Sequence, residues 1–301
     1  MLFPGCYAFL GQLNAAEYSN QRCIVKEHVA EKDRWAIKLW DPKFKGKQIL
    51  VRVENITFDC FARAGEDLPK LPSHLRVSPA GVCGNGLFCE DDWPSGKIIL
   101  EEDPLMVVAN RDGDSGFEAR WNLYFALEND RGVKDPTLRA FREMSDGGND
   151  FVKRHIDDAT TMFKKLLKIS GRNDTEVQTM FVSPEYQDFV NEEILRISAV
   201  LARWQANSHG YSVPSQDRSA LFRYTAKMQH SCDPNCSLHV HPETGRCVVT
   251  ANRPIRAGDQ LTNSYMGESS GFHEMNVEAR RKKLATRGFV CICDRCVRES
   301  E

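Results

Sequence analysis

The chain has 301 residues, 41% hydrophobic and 27% charged, with a formal net charge of −2. That is room for a large domain and a small one, in proportions typical of a globular protein. A balance so near neutral excludes a global basic footprint for nucleic acid, and no stretch approaches the roughly 20 apolar residues that span a bilayer. Leu2 to Leu10 contains Pro4 and Gly5 and lacks the basic start of a secretory leader. The eleven cysteines are an odd count, scattered apart from one tight group near the end. The expectation is a reduced, intracellular protein, nuclear or cytoplasmic, whose clustered cysteines bind metal.

Four short strands are expected first, at Tyr7 to Leu10, Cys23 to Glu27, Arg34 to Trp40 and Ile49 to Val53. In the third, Trp35, Ile37 and Leu39 alternate with Ala36, Lys38 and Trp40, so one face is apolar. Asp41-Pro42 and Lys45-Gly46 punctuate the next link. With Gly5 ahead of the first strand and Val53-Glu54-Asn55-Ile56 at the end, the pattern resembles small SH3-like barrels. Trp35 and Trp40 are read as packing residues in preference to an aromatic ligand cage. Ala62 to Ser73, with Gly65, Pro69 and Pro72, reads as a linker.

Gly84-Asn85-Gly86-Leu87-Phe88 lets the backbone approach a ligand closely. It is no dinucleotide fingerprint, since no third glycine opens a helix. Trp93-Pro94-Ser95-Gly96 reads as a turn into a strand at Ile98 to Leu100. Helices follow. Phe117 to Leu127 is one; Val152, Ile156, Ala159, Phe163 and Leu166 mark the apolar stripe of a second, capped by Asn149 or Asp150. Ser183-Pro184 fits the start of a third, striped by Val190, Ile194, Ile197, Leu201 and Trp204. Both stripes are read as core.

Near the end, Cys291-x-Cys293-x-x-Cys296 offers three thiolates within six residues, and tetrahedral zinc takes four. Taken in order, Gly84–Phe88, His230-Ser231-Cys232-Asp233-Pro234-Asn235, Leu261-Thr262-Asn263-Ser264-Tyr265 and Cys291–Cys296 resemble the SET domain of protein lysine methyltransferases, over roughly Leu75 to Cys296. The likeness is to the SET-and-MYND branch in particular. Asn207, Arg253 to Asp259 and Arg280 to Leu284 extend it, although the spare cysteines lack the spacing of a MYND zinc cluster.

The resemblance implies a mainly β fold with a helical insert, knot-like C-terminal threading and a post-SET zinc cluster. The implied division is a barrel at 1–60, a linker at 61–74, a SET domain at 75–288 with its insert at about 115–206, and a zinc-binding segment at 289–301. It implies methylation of a protein lysine, on a histone tail or another protein, with S-adenosylmethionine as methyl donor. It supplies Cys232 as fourth zinc ligand beside Cys291, Cys293 and Cys296. Tyr265 is implied as the catalytic tyrosine. Asn85, Gly86 and Leu87 would follow the donor's amino-acid portion, Asn207, Gln229 and His230 would touch it further, and Phe289 would pack on the adenine. The family's usual asparagine is Gln229 here, which keeps the amide but adds a methylene. A non-catalytic adaptor binding partners through the barrel is the alternative, favoured by Gln229 and opposed by Tyr265; a zinc-dependent nucleic-acid binder is disfavoured by the charge balance. The implied partner is a lysine-bearing protein or peptide, with no membrane and no direct nucleic-acid binding.

Three features carry no expected chemistry. His239 and His241 share a strand face without a third metal ligand. Arg280 to Lys283 reads as a solvated helix face. Asp112 to Gly116 and Ser145 to Asn149 read as flexible loops.

Overall fold

The computed structural model describes residues 2, 4–64, 68–81, 84–110, 117–213, 216–266 and 271–300. Five short strands open it: β1 (Tyr7–Leu10), β2 (Arg22–Val29), β3 (Arg34–Leu39), β4 (Gln48–Val51) and β5 (Ile56–Ala62). The first four fall where alternation placed them. Asp33 (φ 46°) and Gly46 (φ 72°) turn the chain left-handed in the two links around β3, a conformation open to glycine and reachable by aspartate.

Among the described residues these strands do not close into a barrel. They are five of the eight strands of an open sheet. Its other members are β9 (Met106–Ala109), β10 (His209–Val213) and β11 (Gln216–Leu221), in the order β10-β11-β9-β5-β1-β2-β3-β4. The joint is β5, which pairs with β1 on one side and β9 on the other. Phe61 and Ala62, expected in a linker, are the end of that strand. Phe58 to Ala62 are all buried, so there was no in–out alternation to read. Gly65 of the expected linker lies outside the described residues, as does Asp112 to Gly116. Trp40 packs edge-on against Tyr7, rings 5.2 Å apart, and Trp35 lies 5.1 Å from His28; both serve packing.

The remaining strands form small sheets around the cleft described below. A hairpin joins β6 (Leu75–Pro79) to β7 (Asn85–Cys89). A three-stranded sheet holds β8 (Ile98–Glu102), β13 (Cys236–Val240) and β14 (Cys247–Ala251) in the order β13-β14-β8. Two very short strands, β12 (Gln229–His230) and β15 (Thr262–Asn263), lie parallel, with Gln229 opposite Thr262 and His230 opposite Asn263. The N-terminal strands share one apolar core with β7, β8, β13 and β14, through Leu10, Ile37, Leu87, Leu100 and Val249.

Six helices fill the middle: α1 (Phe117–Arg131), α2 (Pro136–Arg142), α3 (Asn149–Lys153), α4 (Ile156–Ile169), α5 (Asp174–Val182) and α6 (Gln187–Asn207). The stripe of α6 is buried as expected, with Ile197, Leu201 and Trp204 at zero exposure. The stripe from Val152 to Leu166 belongs to two helices that break at Arg154–His155, and Gly148 rather than a side chain caps the first. Ser183 makes no side-chain cap; Pro184 opens a short 3-10 turn ahead of α6. The capping box of α5, Asn173 with Glu176, is a start signal that apolar periodicity overlooks. Two last helices, α7 (Val277–Ala285) and α8 (Asp294–Arg298), close the chain.

One buried carboxylate positions the polar stretch that follows β11. Glu102 is 2% exposed. It accepts from the N–H groups of Tyr224 and Thr225 (both 2.8 Å) and from the Thr225 hydroxyl (2.7 Å). This fixes the turn that leads into β12. Glu102→Ala would strand those buried donors and is expected to cost on the order of 3 kcal/mol, read as a lower urea midpoint. An unchanged midpoint would mean that water replaces the carboxylate.

Candidate active site

An open cleft of about 1500 Å³ lies where β12, the end of α6, the hairpin and the C-terminal tail meet. Of the residues expected at the methyl donor, Asn85, Asn207, Gln229, His230 and Phe289 line it. Gly86 and Leu87 do not: Leu87 is fully buried in the core, and its carbonyl accepts from the Leu261 N–H (2.7 Å). Gly86 is needed there for space. A Cβ on it would come within 2.7 Å of Gln260 Nε2 and 3.0 Å of the Ala80 side chain. Gly84, with φ 79°, makes the turn into β7.

Tyr265 follows β15 and faces the cleft from the floor. Its hydroxyl donates to the Met228 carbonyl (2.9 Å), and its ring meets Phe289 edge-on at 5.9 Å. The Arg287 guanidinium stands 5.9 Å from the ring centre. The Tyr265 N–H donates to His230 Nδ1 (3.0 Å). A nitrogen that accepts carries no proton, so Nε2 is the protonated one in the neutral ring. Nε2 lies 3.3 Å from Cys232 Sγ, and the geometry makes it the donor. Burial, then Arg287, His273 and Arg280, push the His230 pKa down to about 4. His230 is thus a satisfied core histidine as well as a cleft residue: it joins the tyrosine backbone to a cysteine sulfur.

Cys232, Cys291, Cys293 and Cys296 come together, their sulfurs all within 4.8 Å of one another. Cys232 Sγ is 3.8 Å from that of Cys291 and 3.5 Å from that of Cys296. A tetrahedral zinc ion with bonds of about 2.3 Å separates its sulfurs by about 3.8 Å, so this donor set fits one. Burial raises the Cys232 and Cys291 thiols. Burial also opposes the Cys293 thiolate, but N–H groups of Cys232 and Cys296 outweigh it and lower that thiol. Around the sulfurs the apolar cluster is small: Phe272 and Leu284 with the cysteines themselves, and Phe289 and Met266 at its margin.

Arg280 corrects the reading of its helix as a solvated charge run. It has no exposed surface. Its guanidinium donates to Cys296 Sγ (3.5 Å), to Glu299 (2.7 Å) and to the Met275 carbonyl (2.5 Å). Arg281 Nε donates to the Cys291 carbonyl (3.1 Å). The available sequence signal was its position one turn before Leu284, on the face that α7 buries. The Ser145 to Asn149 segment is likewise not loose. Asn207 Nδ2 donates to the Ser145 carbonyl (2.7 Å) and Arg203 pairs with Asp146 (3.3 Å), which sets this loop on the cleft rim. His239 and His241 are exposed, and among the described residues neither joins a metal-ligand group.

The cleft also suits a polar organic ligand. Gln260 Nε2, on its lining beside Gly86, is buried without a hydrogen-bond partner. Phe289 offers an aromatic face, and Asn85, Asn207 and Gln229 offer amides. Arg280→Met would leave Glu299 to Arg295 alone and take the guanidinium donor from the Cys296 sulfur. The expected result is early cleavage of the 289–300 tail in limited proteolysis; a tail as resistant as in the parent would contradict the role given to Arg280.

In comparison with known proteins, residues 84–266 match the protein family described as SET domain. Histone-lysine N-methyltransferase SET5 of Meyerozyma guilliermondii is 34% identical over 93 residues, 30% of this chain and 18% of that protein. Histone-lysine N-methyltransferase ATXR2 of Arabidopsis thaliana is 33% identical over 84 residues, 27% of this chain and 17% of that protein. Histone-lysine N-methyltransferase set5 of Schizosaccharomyces pombe is 27% identical over 81 residues, 27% of this chain and 24% of that protein. The matched stretch is under a quarter of the length of each of these relatives.

Proposed function

The chain belongs to the SET-domain family, and we propose that it transfers a methyl group from S-adenosylmethionine to the side-chain nitrogen of a protein lysine. The observation that carries this is Tyr265, whose hydroxyl is tied to the Met228 carbonyl and whose backbone is tied to His230 at the floor of the cleft. S-adenosylmethionine, when bound, supplies an electrophilic methyl group on a sulfonium.

The chain's own task is to hold a neutral amine in line with that group. A free lysine has a pKa of about 10.4, so roughly one in a thousand is neutral near pH 7. Burial and a neighbouring cation both favour the neutral form. Arg287 stands over the Tyr265 ring and supplies the cation. The Tyr265 hydroxyl orients the amine and steadies the charge that develops on it. Asn85, Asn207, Gln229, His230 and Phe289 hold the donor, while Gly86 and Leu87 act behind the lining, in the packing of the hairpin. Gln229 takes the place of the family's usual asparagine. Cys232, Cys291, Cys293 and Cys296 hold one structural zinc ion, for which the sulfur spacing is the support.

The finer likeness we infer is to the SET-and-MYND branch. Its support is Asn207 on the cleft and the arginine helix packed on the cysteines. The parallel pairing of β12 with β15 supports knot-like threading of the core motif. Residues 1–60 are read as an SH3-like unit whose last strand opens onto the main sheet, 75–288 as the SET domain, and 289–301 as its zinc-binding tail. The substrate is a lysine in a histone tail or another flexible segment; the relatives' names, histone-lysine methyltransferases, point to the first. Such substrates imply a nuclear or cytoplasmic protein. No helix among the described residues is long and apolar enough to cross a membrane.

The test is methyl transfer from labelled S-adenosylmethionine to histones and to cell extract. Label on a protein band is expected, falling roughly 100-fold or more in Tyr265→Phe, which keeps the ring and loses the hydroxyl. Equal labelling by both would remove Tyr265 from the mechanism. Absence of labelling by a chain that also fails to bind the donor would favour the adaptor reading, to which Gln229 lends weight; donor binding without labelling would point to a missing substrate or partner.

A further inference from the structure

The α3 helix is one turn long, yet it meets two separate parts of the cleft lining. Phe151, at its centre, lines the cleft. Its ring is held between two glycines from distant parts of the chain. A Cβ on Gly147 would stand 2.5 Å from Phe151 Cδ1, and one on Gly288 would stand 2.9 Å from Cδ2. Both edges of the ring therefore rest on bare backbone, a close approach that glycine permits. His155, itself buried, meets the same ring edge-on at 5.6 Å, and the Arg154 guanidinium lies 5.6 Å from its centre. Arg154 also donates to the Ala285 and Thr286 carbonyls (both 3.2 Å), where α7 ends. Phe151 is 2% exposed. So little surface leaves the ring almost nothing to offer a ligand, and it acts through its neighbours.

Those neighbours bear on the cleft. Gly288 stands between Arg287 and Phe289, the two residues that meet the Tyr265 ring. Gly147 belongs to the loop that Asn207 and Arg203 hold. The cysteine sulfurs fasten the tail from Cys291 onward, and Phe151 fastens the residues just before it. A glycine ahead of Phe289 leaves the backbone free to turn; the ring packed against it removes that freedom. We propose that Phe151 is a positioning residue for the methyl donor, which sets Phe289 in place for the adenine by joining the helical insert to the tail through Gly288. This rests on the reading that the cleft takes S-adenosylmethionine with its adenine on Phe289. It also gives the helical insert a part in the site: the α3–α4 break places a buried ring against the tail, where one continuous helix would carry it elsewhere.

The test is calorimetric binding of S-adenosylhomocysteine to the parent chain, Phe151→Ala, Phe289→Ala and the double variant. Phe151→Ala is expected to bind about tenfold more weakly. The double variant should bind no more weakly than Phe289→Ala alone, because a residue that acts through Phe289 has nothing left to position once that ring is gone. Phe151→Leu keeps the apolar bulk and should fall between parent and alanine variant; it carries the same cycle with Phe289→Ala if the alanine variant does not fold. Phe163→Ala is the comparison for a general loosening of the helices. It removes a ring of the same size from α4, where Phe163 packs on Phe181 and Phe189, and it should bind as the parent does. An undiminished affinity in Phe151→Ala, additive losses in the double variant, or an equal loss in Phe163→Ala would overturn the assignment and leave Phe151 a core residue. If the parent chain did not bind S-adenosylhomocysteine, the donor reading itself would fall, and the assignment with it.

Discussion

Four cysteine sulfurs, within 4.8 Å of one another, bring the C-terminal tail to the polar motif beside the cleft. Cys232 sits inside the polar motif after β12, and its partners lie some 60 residues later, in a tail whose own apolar cluster amounts to little more than Phe272 and Leu284. A segment that small cannot bury enough surface to order itself; a metal bound by thiolates can supply the missing free energy. The cost would be charge, because four thiolates around a dication are net dianionic, and here three of the four cysteines are buried. Arg280, with no exposed surface, donates to one sulfur, and backbone N–H groups donate to another. The helix that carries Arg280 is thereby fixed to the tail as well.

From that staple the geometry reaches the reacting end of the cleft in two steps. His230 spans from Cys232 Sγ to the Tyr265 N–H, so the sulfur cluster and the tyrosine share one rigid ring. The tail also brings Arg287 and Phe289 over the Tyr265 ring. More of the lining comes from a different source, the α6 terminus and the 143–148 loop, held by Asn207 and Arg203. Among the described residues, the N-terminal strands bear on the site through the core, by way of β5 and the shared apolar cluster.

What the sequence discloses follows from the kind of signal each part carries. The convergence of the cysteines was partly legible: Cys291, Cys293 and Cys296 stand at a spacing that thiolate ligands need, while Cys232, far upstream, came only with the family resemblance. Long amphipathic stripes, as in α6, were legible because one face is wet. β5 was not: Phe58 to Ala62 are all buried, so no alternation marked a strand there, its last two residues read as linker, and the sheet appeared to stop short. Arg280 was hidden by its neighbours. In a run of four basic residues, nothing in composition marks the one that turns inward; only its register with Leu284 does. The break between α3 and α4 was missed because the stripe runs on across His155 with its helical spacing intact.

The central claim is that the sulfur cluster, by holding a metal, builds the cleft that takes the methyl donor. The most direct measurement is to strip metal from reduced protein with a chelator and follow zinc content and S-adenosylhomocysteine binding on the same samples. The account predicts one zinc per chain at the start, loss of zinc and ligand binding in proportion, and recovery of both when zinc is returned. Zinc-free protein that binds the ligand with undiminished affinity would contradict it.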